Sequence, residues 1–250
     1  MLHDHFIQCD HDPFLMGLSY VVSVLGSFTA LQLAISIPQA RTARQRWSAI
    51  ASAGAAMGGG AIWAMHFIAM LACRMDLAVS YHLGITALSA VIGIVSCMLG
   101  LAVAVAGRGM FNWTKLALAG TCMGLGVTGM HYTGMAAMQM AARTHYDIAL
   151  VGASALIAIV ASTVALWLAF NLRGKWQMLG SALVMGVAVC GMHYTGMQAA
   201  TFVPDAQLVA AGGLSGPKLG MGIFAVTTVL LAVVLSTSLL RHRQRALVQI

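Results

Sequence analysis

Glutamate is missing from this 250-residue chain, and six aspartates are its only acids. Charged residues make up 8% of the whole and prolines number four. So few charges cannot give a soluble domain of this length a solvated surface, and acid/base catalysis by paired carboxylates has no residues to use. There is no Gly-rich phosphate loop and no serine in a nucleophile setting with a histidine and an acid. A retinal pigment would need a mid-helix lysine, whereas Lys218 falls at a helix start. The chain is not expected to be an enzyme on its own.

Hydrophobic residues supply 60% of the chain. Runs of roughly 20 residues, enough to cross ~30 Å of hydrocarbon, fall near 13–37, 48–73, 82–106, 116–142, 148–171, 177–202 and 218–240. They are continuous rather than alternating, which favours helices over a transmembrane barrel. The expected fold is an all-α integral membrane bundle of seven transmembrane helices between an N-terminal tail, 1–12, and a C-terminal tail, 241–250. The opening Met1-Leu2-His3-Asp4-His5 lacks the basic flank of a cleavable signal peptide and reads as mature sequence.

Basic residues set the orientation. Arg41, Arg44, Arg46, Arg108, Lys115, Arg173, Lys175, Arg241, Arg243 and Arg245 share one side, ten of the 13; Arg74, Arg143 and Lys218 fall on the other with all six aspartates. The positive-inside rule puts the N-terminus outside and the C-terminus in the cytoplasm. The net charge of +7 is thus a topology signal. It implies no nucleic acid; its partner is membrane lipid.

One hexapeptide occurs three times: Met65-His66-Phe67-Ile68-Ala69-Met70, Met130-His131-Tyr132-Thr133-Gly134-Met135 and Met192-His193-Tyr194-Thr195-Gly196-Met197. The period equals two spans with their loops, so each copy falls on an even-numbered helix, in the same direction and at the same depth, about 10 Å inside the outer edge of the hydrocarbon. The bundle reads as three parallel helical hairpins, about 13–73, 82–142 and 148–202, plus a seventh helix. Upstream, Gly59, Gly124 and Gly186 recur six residues before each first Met, where small residues let helices approach closely.

Residues four apart share a helix face, so His66/Met70, His131/Met135 and His193/Met197 are stacked pairs, with Met65, Met130 and Met192 about 100° round. Packing alone explains a single buried His with Met filler; it does not require the same imidazole and two thioethers in each repeat. Thioether with imidazole and no carboxylate favours copper, especially Cu(I), over hard cations or zinc. Haem, which also takes His and Met, competes, and spacing does not separate the two.

The Met-His-Tyr-Thr signature on alternate helices of a seven-span chain closely resembles the MHYT-domain family of bacterial membrane sensors. The resemblance covers nearly the whole chain. It implies a bacterial inner-membrane sensor of oxygen, carbon monoxide, nitric oxide or redox state, with copper held by Met65, His66, Met70, Met130, His131, Met135, Met192, His193 and Met197. Family members commonly carry a cytoplasmic output domain; this sequence ends at Ile250, so the signal is expected to pass to a cytoplasmic partner protein. The first copy departs from the pattern, with Phe67-Ile68-Ala69 for Tyr-Thr-Gly. Tyr132 and Tyr194 are accordingly read as interfacial aromatics in supporting hydrogen bonds, and Thr133 and Thr195 as bonded back to their own helix.

Lesser candidates remain. His3, Asp4, His5, Cys9, Asp10, His11 and Asp12 form a metal-capable tail that reads first as a disordered polar segment. Cys190, three residues before His193, could add a thiolate. Cys9 and Cys73 share the disulfide-permitting side without a fixed pairing. Cys97 and Cys122 read as apolar fillers, and His82 and His145 as helix-end residues. Additional methionines, Met57, Met98, Met123, Met178, Met185 and Met221, motivate an alternative class: a copper transporter or carrier with a continuous thioether path.

Overall fold

The computed structural model describes residues 7–106, 112–171, 174–205, 207–208 and 212–247. Arg108, Arg173, His3, Asp4 and His5 lie outside the described residues. Among the described residues, helical segments line up into seven long rods. The first is α1 (Pro13–Ala34). The second, Ala43–Ala72, joins α2 (Ala43–Gly54), a π-helical segment (Ala55–Trp63) and α3 (Ala64–Ala72). Then come α4 (Leu83–Ala104), α5 (Trp113–Ala136), α6 (Ile148–Asn171), α7 (Lys175–Gln198) and α8 (Gly216–Leu247).

Side chains start the rods. The Asp12 carboxylate accepts from the backbone of Phe14 and Leu15, with Pro13 at the first helical position. Thr42 caps α2, His82 caps α4 through the Ile85 amide, Asn112 caps α5, and Asp147 accepts from Ala149 and Leu150 before α6. His82 therefore works at a helix end, as its position suggested.

Among the described residues, five rods are long and apolar enough to cross a membrane: Pro13–Ala34, Ala43–Ala72, Leu83–Ala104, Ile148–Asn171 and Lys175–Gln198. α5 carries Lys115, its glycines, threonines and a histidine, and its mean hydropathy falls short; of α8, the described apolar stretch is Gly216–Leu230. Two expected spans also overshoot. α5 ends at Ala136 and α7 at Gln198, because the chain beyond each turns into strand.

Those strands cap one end of the bundle: β1 (Asp10–His11), β2 (Cys73–Arg74), β3 (Ser80–Tyr81), β4 (Met138–Gln139), β5 (Ala142–Tyr146), β6 (Ala200–Pro204) and β7 (Leu214–Ser215). β1 pairs with β2, β3 with β4 and β7, and β5 with β6, all antiparallel. In each repeat, the residues before the first rod thus pair with those after the second. Ion pairs Arg74–Asp12 and Arg143–Asp205 and a Cys9–Cys73 disulfide reinforce this cap. Backbone amides of Leu15 and Phe14, with Arg74, hold the Asp12 carboxyl below its ordinary value; the Gln207 amide and Arg143 do the same for Asp205. Cys122, expected as a filler, is exposed on the bundle surface; Cys97 is buried.

The rods close into a ring. α1 packs on the second rod and on α7, α4 on the second rod and α5, and α6 on α5 and α7. α8 stands outside, against the π segment and α3. Three crossings are made by glycines whose missing side chains admit the neighbouring helix: a Cβ on Gly58 would lie 2.4 Å from the Gly93 carbonyl, on Gly124 2.5 Å from Ile159 Cα, and on Gly186 2.7 Å from Val24 Cγ2. Gly58, not Gly59, is therefore the counterpart of Gly124. The repeat offset is 66 residues at that glycine and 65 at the histidine. The π segment absorbs the one extra residue, as π-bulges do.

Candidate metal centre

Each copy of the hexapeptide lies near the capped end of its rod, on α3, α5 or α7. The ring turns all three imidazoles inward: His66, His131 and His193 are 1%, 0% and 0% exposed. Their ring centroids are 4.9 Å (66–131), 5.0 Å (66–193) and 5.2 Å (131–193) apart, all near edge-on. The Nδ1 atom of His66 is 3.0 Å from that of His193 and 3.1 Å from that of His131. Among the described residues these three histidines form the one group of three or more His, Cys or acidic side chains able to share an ion. Cys190 is not in it.

A neutral imidazole has one donor nitrogen and one acceptor, so three of them facing each other through Nδ1 cannot all be satisfied by protons. The three Nε2 atoms are buried without hydrogen-bond partners. A soft ion taking the Nδ1 lone pair of each ring would resolve that Nδ1 conflict, each ring then keeping its proton on Nε2; three buried imidazoles with no carboxylate in the group are a donor set that fits copper.

The glycine of the signature, Gly134 or Gly196, has a role that the sequence did not reveal. A Cβ at Gly134 would lie 2.3 Å from His66 Nε2, and one at Gly196 would lie 2.3 Å from His131 Nε2. Each glycine is the seat of the preceding repeat's imidazole. Ala69, buried, occupies the equivalent place in the first copy.

Met65, Met70, Met130, Met135, Met192 and Met197 are all buried. Met130 packs its Cγ toward Gly93 of α4, and Met192 lines a cavity on the side of the triad away from the cap.

Supporting groups follow the repeat as well. The Tyr132 hydroxyl meets Ser154 Oγ at 2.9 Å, and Ser19 stands beside the Tyr194 hydroxyl. Phe67, which lacks a hydroxyl, is fully buried, and the corresponding serine, Ser89, accepts instead from the Trp63 indole at 3.1 Å. Ser19, Ser89 and Ser154 each donate to a carbonyl three residues back. These serines carry no motif of their own; only their matching positions on the first rod of each hairpin could have revealed them. Thr195 bonds back to Gly191, as expected. His145 lies on β5, away from the triad, while the His11 ring is 5.5 Å from that of Tyr194.

The profile of a family described as "Bacterial signalling protein N terminal repeat", MHYT, matches residues 59–118, 124–182 and 186–249. The chain belongs to the MHYT family of membrane signalling sensors. It is 39% identical over 242 residues to the bifunctional diguanylate cyclase/cyclic di-GMP phosphodiesterase MucR of Pseudomonas aeruginosa, covering 94% of this chain and 35% of that protein. It is 36% identical over 198 residues to the cyclic di-GMP phosphodiesterase NbdA of the same species, covering 77% and 25%. To the signaling protein YkoW of Bacillus subtilis it is 30% identical over 206 residues, covering 80% and 25%. The chain spans about a third or less of the length of these relatives. No solved structure matches it.

Proposed function

We propose that this chain is the sensing part of a bacterial inner-membrane signalling system, crossing the membrane seven times with the capped end outside, and that His66, His131 and His193 hold one copper ion, most simply Cu(I). The observation that carries this reading is the meeting of the three Nδ1 atoms, with separations of 3.0 and 3.1 Å, in a buried setting without carboxylates. The six flanking methionines form the soft, water-excluding surround and a reserve of ligands. Copper in this place supplies a ligand set that responds to a diatomic gas or to one-electron redox change.

Output is carried by the second rod. His66 belongs to it, and its π segment and α3 are the surfaces against which α8 packs. α8 runs from the capped end toward the basic end, so a shift of His66 reaches the cytoplasmic side through one helix contact. Its recipient is a cytoplasmic signalling domain or partner, and the printed activities of MucR and NbdA make cyclic di-GMP turnover the output to test first.

Haem fits less well. A porphyrin between two axial imidazoles needs them apart, and here the rings are in mutual contact. A copper carrier is the second reading, favoured by one observation: Met57, Met123, Met178 and Met185 are buried in the bundle, although Met221 faces outward.

The test is anaerobic purification with copper, iron and haem measured per chain, repeated with His66, His131 and His193 changed to alanine. About one copper in the wild type and none in the triple variant is expected. Equal copper in both, or none in either, defeats the assignment; iron with a Soret band transfers it to haem. Copper uptake into sealed proteoliposomes would replace sensing by transport.

A further inference from the structure

One helical turn away from the triad, on the side opposite the cap, the bundle walls a partly open cavity of about 30 Å³. Ile62, Val127 and Val189 line it, each four residues before a triad histidine, so it lies directly beneath the three imidazoles. Met57, Met123 and Met185 line it from further along the same rods, and Met192 from beside His193. Met57 reaches this position because of the π segment: it stands nine residues before its histidine, while Met123 and Met185 stand eight before theirs.

Ser162 is the one polar residue on the cavity wall. A buried water needs two to four polar partners, which this wall does not offer, so the space is dry. One water-sized sphere takes about 10–15 Å³ on this measure, so the cavity has room for about two joined spheres. That is the outline of a diatomic molecule or a single xenon atom.

We propose that this cavity is a binding site for a small, neutral, apolar molecule of diatomic size, entered sideways between α6 and α7. Ala161 of α6 and Ala188 and Val189 of α7 line the cavity yet are only half-buried, so the wall there is one small side chain thick. Apolar solutes leave water for hydrocarbon. In the membrane placement proposed above, the bilayer concentrates such a molecule outside this wall and the cavity holds it one turn from the imidazoles. The inference deepens the sensor reading and rests on it for its biological meaning, but the cavity can be tested without any metal.

The probe is xenon, applied under pressure to the full chain in lipid nanodiscs with its 18 methionines labelled in the ε-methyl group. The methyl signals of Met57, Met123, Met185 and Met192 are expected to shift saturably with pressure, while that of Met221, 67% exposed, follows the lipid and does not saturate. Ala158→Leu places three carbons in the cavity from α6 and should weaken the response about tenfold, by leaving less than one sphere of space. Val127→Ile, a smaller filling at a β-branched position, should weaken it by a lesser factor and covers the case in which Ala158→Leu does not fold. No saturable shift, shifts spread evenly over all methionines, or shifts unaltered by both fillings would overturn the site. Copper is measured on the same sample. Xenon without copper upholds the cavity and defeats the metal reading; copper without xenon does the reverse.

Discussion

Placing a single methyl group at Gly134 or Gly196 tests whether the three histidines work as one centre. The added Cβ would lie 2.3 Å from the Nε2 of His66 or His131, against an ordinary contact of 3.4–4 Å, so the imidazole must retreat by about 1 Å. Both rings are buried in a packed ring of helices, where such overpacking costs about 1–3 kcal/mol. A metal site tolerates ligand displacements of only about 0.2 Å. Copper affinity of Gly134→Ala and Gly196→Ala should therefore fall about 10–100-fold, the range seen when groups that orient metal ligands are lost. The assay is competition against a colorimetric Cu(I) chelator on purified protein, with thermal unfolding recorded alongside. Gly129→Ala is the control: the nearest foreign atom to its Cβ is 4.0 Å away, so it should bind as the wild type does. Affinities of both seat variants within twofold of the control would refute the idea that the glycines position the imidazoles.

Deleting Gly59 or Gly60 should be tolerated, because it removes the extra residue of the π segment and leaves Met57 and His66 spaced as in the other two rods. Deleting Leu125 from α5 should abolish copper binding, because it turns His131 by about 100°; equal outcomes would sink the register reading. Peptide mapping without reduction should link Cys9 to Cys73 and leave Cys97, Cys122 and Cys190 free, and Cys73→Ser should lower stability by up to about 4 kcal/mol for a closed loop of this length. Asp12 and Asp205 have folded carboxyl pKa values below the ordinary 3.8, so their contribution to the cap is complete above that value and is lost as pH falls through the lowered folded values. Exchange of the β1–β2 and β5–β6 amides should accelerate there relative to the intrinsic rate, and Asp12→Asn should remove the β1–β2 part of the change.

Much of the candidate site was legible because it is repeated. Three copies at 65- and 62-residue offsets require equal depth and direction for any helical reading, and this alone nominated His66, His131 and His193. The Cys9–Cys73 pairing was not legible, since five cysteines leave the choice open until β1 and β2 lie side by side. Nor was the register of Gly58, because a π segment has no reliable sequence mark and the linear repeat aligns Gly59 instead.

By itself the amino-acid order determined the class of solvent, the helical rods and the three motif copies, since hydropathy and periodicity are local properties of the chain. Tertiary structure decided which side chains meet. It chose Nδ1 as the converging nitrogen, made glycine the seat of a neighbouring imidazole, and opened a dry cavity one turn below. Those outcomes depend on how closely helices distant in sequence approach one another, which no single helix encodes.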